Sequence, residues 1–371
     1  MDRGGPRRPD SSRKRLSLWG GLYRNPASCT HRVDRINEGS RPPAEPGQTG
    51  LRVDLRSKVL LFHRLRGRIA STVALLFLLT SCARSSKPPS SRPGVAQAPV
   101  PAVQRSSLGV AVGPRQAFAA DACIAFPPAG KDRHRTIFID AGHGGPDAGA
   151  TGTASDGKQV QEKTLTLAVG LDLSNQLRRD GYRVVLSRTR DGTVGRTLSG
   201  SVTEGAYTPD GVRADLRARV ACANSAHARL LISIHFDAFW SPAVGGAQTV
   251  YDPRRPFSGQ SLHFARLIQR AVLLAFQAHG WDVSDRGVIP DTRLDAPTLS
   301  VRGAAYGHLV ELGPAKRGWL DHPSLMPGAL LEPLFLTDPA EASVARSHVG
   351  QEALSGAVAR AVREYFSAGS R

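Results

Sequence analysis

From about Asp121 onward, short apolar runs alternate with segments of helical periodicity, and this alternation limits the fold more than any other feature of the chain. Residues 136–139 (TIFI), 182–186, 230–234 (LLISI), 248–251 and 329–331 read as strands. Helical spacing covers 163–179, with Leu165, Ala168, Val169, Leu173 and Leu177 on one face and a stop before Gly181. Further helices are expected over 215–224, 258–279 and 340–366. Strands that alternate with helices predict an α/β fold: a mostly parallel twisted sheet with helices on both faces, in a single domain. No internal repeat is present.

The first third of the chain reads differently. Residues 1–58 are rich in Arg, Pro, Ser and Gly and show no sustained periodicity. They are either a disordered extension or untranslated, the start lying then at Val53 or Val59. Residues 59–81 resemble a signal peptide: Arg64, Arg66 and Arg68 precede an apolar run from Ile69 to Leu79, too short for a bilayer span. The run ends Leu79-Thr80-Ser81-Cys82, which resembles a bacterial lipobox with Cys82 as the lipidated residue. Residues 82–118 are dominated by Pro and Ser and read as a semi-rigid tether. Residues 119–371 form the globular unit. An extracytoplasmic, lipid-anchored place in the cell envelope follows.

Charge agrees with that division. Of the net +18, residues 1–81 contribute +10, from 16 Lys and Arg against 6 Asp and Glu. A basic surface suits nucleic acid, anionic lipid or an anionic wall polymer, but no aromatic-interleaved basic motif favours nucleic acid. The four cysteines include no CxxC pair, which argues against a zinc ribbon. Cys123 and Cys222 both lie in the exported part, where they can pair; a buried free thiol at Cys222 is the other reading.

Three segments carry chemistry. Asp140-Ala141-Gly142-His143-Gly144-Gly145 follows the TIFI strand, and its glycines allow a sharp turn and close backbone approach. Gln161-Glu162-Lys163 stands at a helix start, where a glutamate also simply complements the helix dipole. Ser233-Ile234-His235-Phe236-Asp237-Ala238 ends the LLISI strand. All three fall at strand or helix ends, where open α/β sheets build sites. Together His143, Glu162 and His235 make a three-ligand set for catalytic zinc, with a fourth position for water. Their wide spacing differs from the compact HExxH helix, which is absent.

From about Arg135 to Phe366 these segments resemble the zinc-dependent N-acetylmuramoyl-L-alanine amidases of the type-3 class, whose pattern is a D-x-GHGG strand end, an EK helix start and an S-I-H-x-D strand end. The resemblance takes in Thr189-Arg190-Asp191, the helix stretch 216–219 with its terminal Arg219, and Ala223-Asn224. It implies a phosphorylase/hydrolase-like catalytic domain. It also implies His143, Glu162 and His235 as ligands of Zn2+ and peptidoglycan as substrate, cut between the lactyl group of N-acetylmuramic acid and L-alanine. The family's late catalytic glutamate points to Glu332 within Pro327-Gly328-Ala329-Leu330-Leu331-Glu332, followed by Asp338-Pro339-Ala340-Glu341-Ala342. Pro333 departs from the pattern. Glu311, in Leu309-Val310-Glu311-Leu312-Gly313, is the competing candidate. Asp140 either orients a histidine ligand or caps the turn that follows it.

Some relatives carry a helix over the zinc until a protein activator removes it. The loop 252–259 is too short for one, and whether an activator acts here is open. The Gly-, Ser- and Thr-rich stretch 192–211 is a candidate rim loop or a plain surface insertion. Two other functions stay in view: a zinc peptidase or amidase with another substrate, and a lipoprotein that binds the wall without cutting it or acts only when a partner activates it.

Overall fold

The computed structural model describes residues 109–294 and 306–368. Cys29, the signal segment, Cys82 and most of the tether lie outside the described residues. In chain order the strands and helices are β1 Val110–Ala111, β2 Ala122–Phe126, β3 Thr136–Ala141, β4 Thr151–Thr153, β5 Gln159–Gln161, α1 Glu162–Arg179, β6 Arg183–Arg188, β7 Val202–Thr203, β8 Ala206–Tyr207, α2 Pro209–Ser225, β9 Leu230–Ile234, β10 Ala247–Tyr251, α3 Ser258–Ala278, β11 Asp285–Pro290, β12 Gly328–Glu332, α4 Pro339–Arg346 and α5 His348–Ala368. Among them no helix is long and apolar enough to cross a membrane.

Eight strands form one sheet in the order β1-β2-β6-β3-β9-β12-β10-β11. The centre, β6-β3-β9-β12, is parallel throughout. Its flanks are the antiparallel part of this mostly parallel sheet: β2 pairs antiparallel with β6, and β10 antiparallel with β12. β11 then pairs parallel with β10, so these two run opposite to the centre. Val110–Ala111 pairs with β2 and Phe118 is buried, so the stretch read as tether gives way to folded structure before residue 118.

Side chains alternate across the pleat and sort into two cores. Ile137, Ile139, Val184, Leu186, Ile232 and Leu331 face a layer built from α1, α3 and α5. Phe138, Val185, Leu231, Val250 and Leu330 face the other way, toward α2 residues Cys222 and Ala223. Cys123 and Cys222 form a disulfide with Cα atoms 5.6 Å apart, tying β2 to α2 through that second core.

Local signals explain the boundaries. α1 ends where Gly181 adopts φ +90° and donates to Arg178 O, with Tyr182 N bonding Leu177 O. Asp338 caps α4 by accepting from the N–H groups of Ala340 and Glu341, with Pro339 as the first helical residue. The single closing helix expected over 340–366 is instead two. Ser347 turns extended, and its Oγ accepts from Gly350 N at 2.9 Å, starting α5 afresh.

Register places the site. Ala141 pairs with Ile234, and Ile234 with Leu331. The residues that follow these three, beginning with Gly142, His235 and Glu332, therefore leave the sheet side by side at its carboxyl edge.

Candidate metal centre

His143, Glu162 and His235 converge. His143 Nε2, Glu162 Oε1 and His235 Nδ1 are each 3.0 Å from the other two. A tetrahedral ion about 2.0–2.1 Å from three such donors spaces them roughly 3.3 Å apart, so adjustments of a few tenths of an ångström admit one.

Local structure sets each donor. The β4–β5 hairpin delivers the chain to α1, where Glu162 is the first helical residue and 2% exposed. Its carboxylate does more than complement a helix dipole. Oε2 accepts from Ala150 N at 2.7 Å and Oε1 from Phe236 N at 2.8 Å. His143 sits at φ +60°, a conformation that costs a non-glycine residue of order 1–3 kcal/mol. Two glycines make the packing feasible. A Cβ on Gly142 would lie 2.5 Å from His235 Nε2, and one on Gly149 2.5 Å from Glu162 Oε2.

Two buried arginines hold the turn. Arg188 donates to Ala141 O at 2.9 Å, Gly142 O at 2.9 Å and Lys163 O at 2.6 Å. Arg219 donates to Ala141 O at 2.9 Å and His143 O at 2.7 Å. Asp140 is bound to Arg219 at 2.6 Å and to Ser233 Oγ at 2.9 Å. It therefore neither orients a histidine ring by direct hydrogen bonding nor caps the turn; it fixes Arg219, which grips the backbone of His143. The carboxylate on the ring is Asp147, whose Oδ2 lies 2.8 Å from His143 Nδ1.

The electrostatics call for a cation. Burial disfavours charge on His143, but Glu162 and Asp147 outweigh it and push its pKa up to about 10. Burial likewise opposes charge on Glu162, yet both imidazoles hold its carboxyl far below the ordinary range. Two imidazole nitrogens and one carboxylate facing a common point are a donor set that suits a divalent metal.

The cavity, about 560 Å³, is lined by the three donors and by Phe236, Asp237, Phe239, Trp240 and Glu332 among others. Gln248 Nε2 donates to Asp237 Oδ2 at 3.0 Å and to Glu332 Oε2, bridging two carboxyls. Burial and the charge of Asp237 push the Glu332 carboxyl well above its usual range. Glu311 is near enough to feel the charges of His235 and Arg219. It lies in a turn rather than a strand, 4% exposed, and does not line the cavity.

Comparison with known proteins follows the same residues. The N-acetylmuramoyl-L-alanine amidase family model, Amidase_3, matches residues 137–364. The chain belongs to this family. Its reaction is hydrolysis of the amide between N-acetylmuramic acid and L-alanine in peptidoglycan, which places its action outside the cytoplasm. The germination-specific N-acetylmuramoyl-L-alanine amidase of Bacillus subtilis (strain 168) is 29% identical over 233 residues, covering 63% of this chain and 80% of that one. The amidase AmiC of Neisseria meningitidis serogroup B is 27% identical over 249 residues, covering 63% of this chain and 53% of that one. Among solved structures, the CwlD amidase of Clostridioides difficile in complex with the GerS lipoprotein is 24% identical with a TM-score of 0.48, covering 63% of this chain and 99% of that one.

Sequence reasoning missed Asp147, Arg188 and Gln248 as parts of this amidase's site. Arg188 directly precedes the Thr189-Arg190-Asp191 stretch that was singled out, and within that stretch Asp191 accepts from Gly145 N at 2.7 Å. Asp147 lies four residues after His143, a spacing visible in the chain without a helix to give it meaning.

Proposed function

We propose that the amidase works with a zinc ion held by His143 Nε2, Glu162 Oε1 and His235 Nδ1, and with Glu332 as the catalytic base. One observation carries this reading: three mutually close donors face a cavity that Glu332 also lines. Two imidazoles and a carboxylate are a known catalytic zinc set that leaves room for water. Zinc bound there supplies Lewis acidity, which acidifies water toward neutral pH and polarises a carbonyl.

The chain's own residues do the rest. Glu332 is carried beside the donors because His235 N donates to Leu331 O at 2.9 Å. Its half-buried carboxyl has a raised proton affinity, which suits a group that takes a proton from water and returns it to the leaving L-alanine amine. Gln248 fixes the Glu332 carboxyl and holds Asp237 beside it. Phe236 and Phe239 wall the cavity and limit water around the scissile bond.

The test compares wild type, Glu332→Gln and Glu311→Gln on purified peptidoglycan, with and without chelator, and identifies the released ends by mass spectrometry. Glu332→Gln is expected to keep its metal and lose about 10²–10⁴ in turnover. Full activity in Glu332→Gln together with loss in Glu311→Gln would transfer the role to Glu311. Activity that survives complete metal removal would overturn the zinc reading.

The same proposal extends to placement. Residues 59–81 export the chain, Cys82 carries the lipid, and a tether after it lets the catalytic domain reach the wall. Cys82→Ser is expected to move the protein from the detergent phase to the aqueous phase; unchanged partitioning would remove the anchor from the account.

A further inference from the structure

The sheet has a second carboxyl edge. β10 and β11 run opposite to the central strands, so their ends leave the sheet on the side away from the amidase centre. Tyr251 and Pro290 are register partners at those ends, and the next residues are Asp252 and Asp291. Gln248, which touches Glu332, is four residues before Asp252, about 13 Å along a strand rising ~3.3 Å per residue.

Asp252, Asp291 and His308 meet there. His308 Nδ1 lies 2.7 Å from Asp252 Oδ2 and 3.3 Å from Asp291 Oδ2. Asp291 is 0% exposed and Asp252 2%, so both carboxyls have left water almost completely. Asp252 Oδ1 accepts from Arg254 N at 2.6 Å. Among the described residues Asp252 Oδ2 has no hydrogen-bond partner, although His308 Nδ1 is close enough to be one. An enclosed carboxylate oxygen that is near a ring nitrogen but not aligned to it fits two ligands aimed at a common third body.

The charges point the same way. Arg255 is nearby, but its guanidinium donates to Gly313 O at 2.6 Å and to Ser324 O rather than to either aspartate. Among the described residues no arginine or lysine pairs with either carboxylate and the imidazole of His308 is their one basic partner, and buried carboxylates short of positive charge are costly. The pocket therefore seeks one more positive charge. A proton shared between the carboxyls could supply it, and so could a metal.

We infer that Asp252, Asp291 and His308 form a second metal site, taking a divalent transition cation such as zinc or manganese through one imidazole nitrogen and two carboxylate oxygens. All three ligand atoms lie within 4.8 Å of one another. Two oxygens and an imidazole suit cations of that class. The site joins the end of β10, the 3-10 turn Asp291–Arg293 after β11, and the loop that carries His308. Its role is to clamp these segments, since it lies on the opposite edge of the sheet from Glu332. It uses no ligand of the amidase centre, so the two can be tested apart.

The experiment counts metal on the full-length chain in detergent. The protein is stripped with chelator, dialysed against excess ZnCl2 and, separately, MnCl2, then freed of unbound metal and analysed by mass spectrometry. Five chains are compared: wild type, His235→Ala, His308→Ala, Asp291→Asn and the double variant His235→Ala/His308→Ala. The expected result is two equivalents in wild type, one in each single variant and none in the double variant. His235→Ala is the informative case because the second cluster is untouched there. One equivalent retained in His235→Ala, and lost when His308→Ala is added, supports the site. No metal in folded His235→Ala overturns it and leaves the shared proton as the explanation. If wild type and His235→Ala both hold one equivalent and His308→Ala holds none, the second site stands and the zinc reading of the first centre fails.

Discussion

Asp147 Oδ2 and His143 Nδ1 are 2.8 Å apart, and this contact decides which nitrogen of His143 faces the cavity. With Nδ1 turned to the carboxylate, Nε2 is the nitrogen directed at Glu162 and His235. Carboxylates in this position orient the imidazole and raise its basicity, and their loss typically lowers metal affinity 10–100-fold. Asp147→Asn is therefore expected to weaken zinc binding by about that factor while leaving the fold intact. Competition with a chromogenic chelator measures it. Unchanged affinity would mean that Glu162 and the backbone bonds already fix the ring.

The central sheet was legible because strands buried on both faces leave continuous apolar runs, and His143 and His235 because each follows one, His235 directly and His143 after a short turn. Of the outer strands β10 was legible, at 248–251, but β2 and β11 were not. β2 reads Ala-Cys-Ile-Ala-Phe, too weakly alternating to stand out, and β11 contains Gly287 and ends at Pro290, two residues that usually argue against a strand. The supporting shell was only half visible for a related reason. Arg188 and Arg219 act on backbone carbonyls, and no sequence pattern marks a carbonyl as a partner. Asp140 showed its importance through the motif, but its actual partner, Arg219, is 79 residues away.

Arg219 offers a sharp stability test. Its guanidinium sits 2% exposed between Asp140 and Asp215, at 2.6 Å and 2.9 Å. Breaking a buried pair by removing one partner leaves uncompensated charge and costs about 3–5 kcal/mol. Arg219→Ala should lose on that order of stability in urea unfolding. The His143 turn should loosen with it, because His143 O loses its donor. Arg219→Lys keeps the charge but has no planar fork to reach Asp140, Asp215 and His143 O together, so it should rescue only part of the loss. Full rescue by Lys would show that charge alone matters.

The disulfide closes a separation of 99 residues between β2 and α2. In the chain-entropy account, a loop of that length contributes about 4–5 kcal/mol, and native disulfides typically lie between about 2 and 5. Reduction, or Cys222→Ser, should lower the melting temperature and steepen loss on heating in a reducing buffer. An unchanged melting temperature after confirmed reduction would mean that the surrounding core of Phe138, Val185 and Leu231 holds β2 without it.

Trp240 is 72% exposed at the cavity rim, its ring 5.4 Å from that of Phe239. A large aromatic left in water beside a substrate cavity is suited to stacking on sugar or peptide. Trp240→Ala should raise KM several-fold with kcat little changed, the pattern of an interaction made equally in ground and transition states. A fall in kcat at constant KM would instead place Trp240 among the groups that act on the reacting centre.

Glu311 carries the clearest pH signature. Burial, reinforced by Asp140, pushes its pKa up to about 6 against the opposing pull of His235 and Arg219. A carboxyl whose folded pKa exceeds its unfolded value binds its proton more tightly in the native state. Its contribution is thus full below the unfolded value, near 4.5, and is lost as pH rises through about 6. The shift corresponds to a loss on the order of 2 kcal/mol across that window. Glu311→Gln mimics the protonated form, so it should flatten this part of the stability–pH curve and stabilise the protein above pH about 6. Because Glu311 does not line the cavity, the same variant should retain amidase activity. Urea unfolding at a series of pH values, run beside the peptidoglycan assay, reads both. A flattened curve with activity intact separates Glu311 from the chemistry, whereas loss of activity with the curve unchanged would make it, and not Glu332, the catalytic carboxylate.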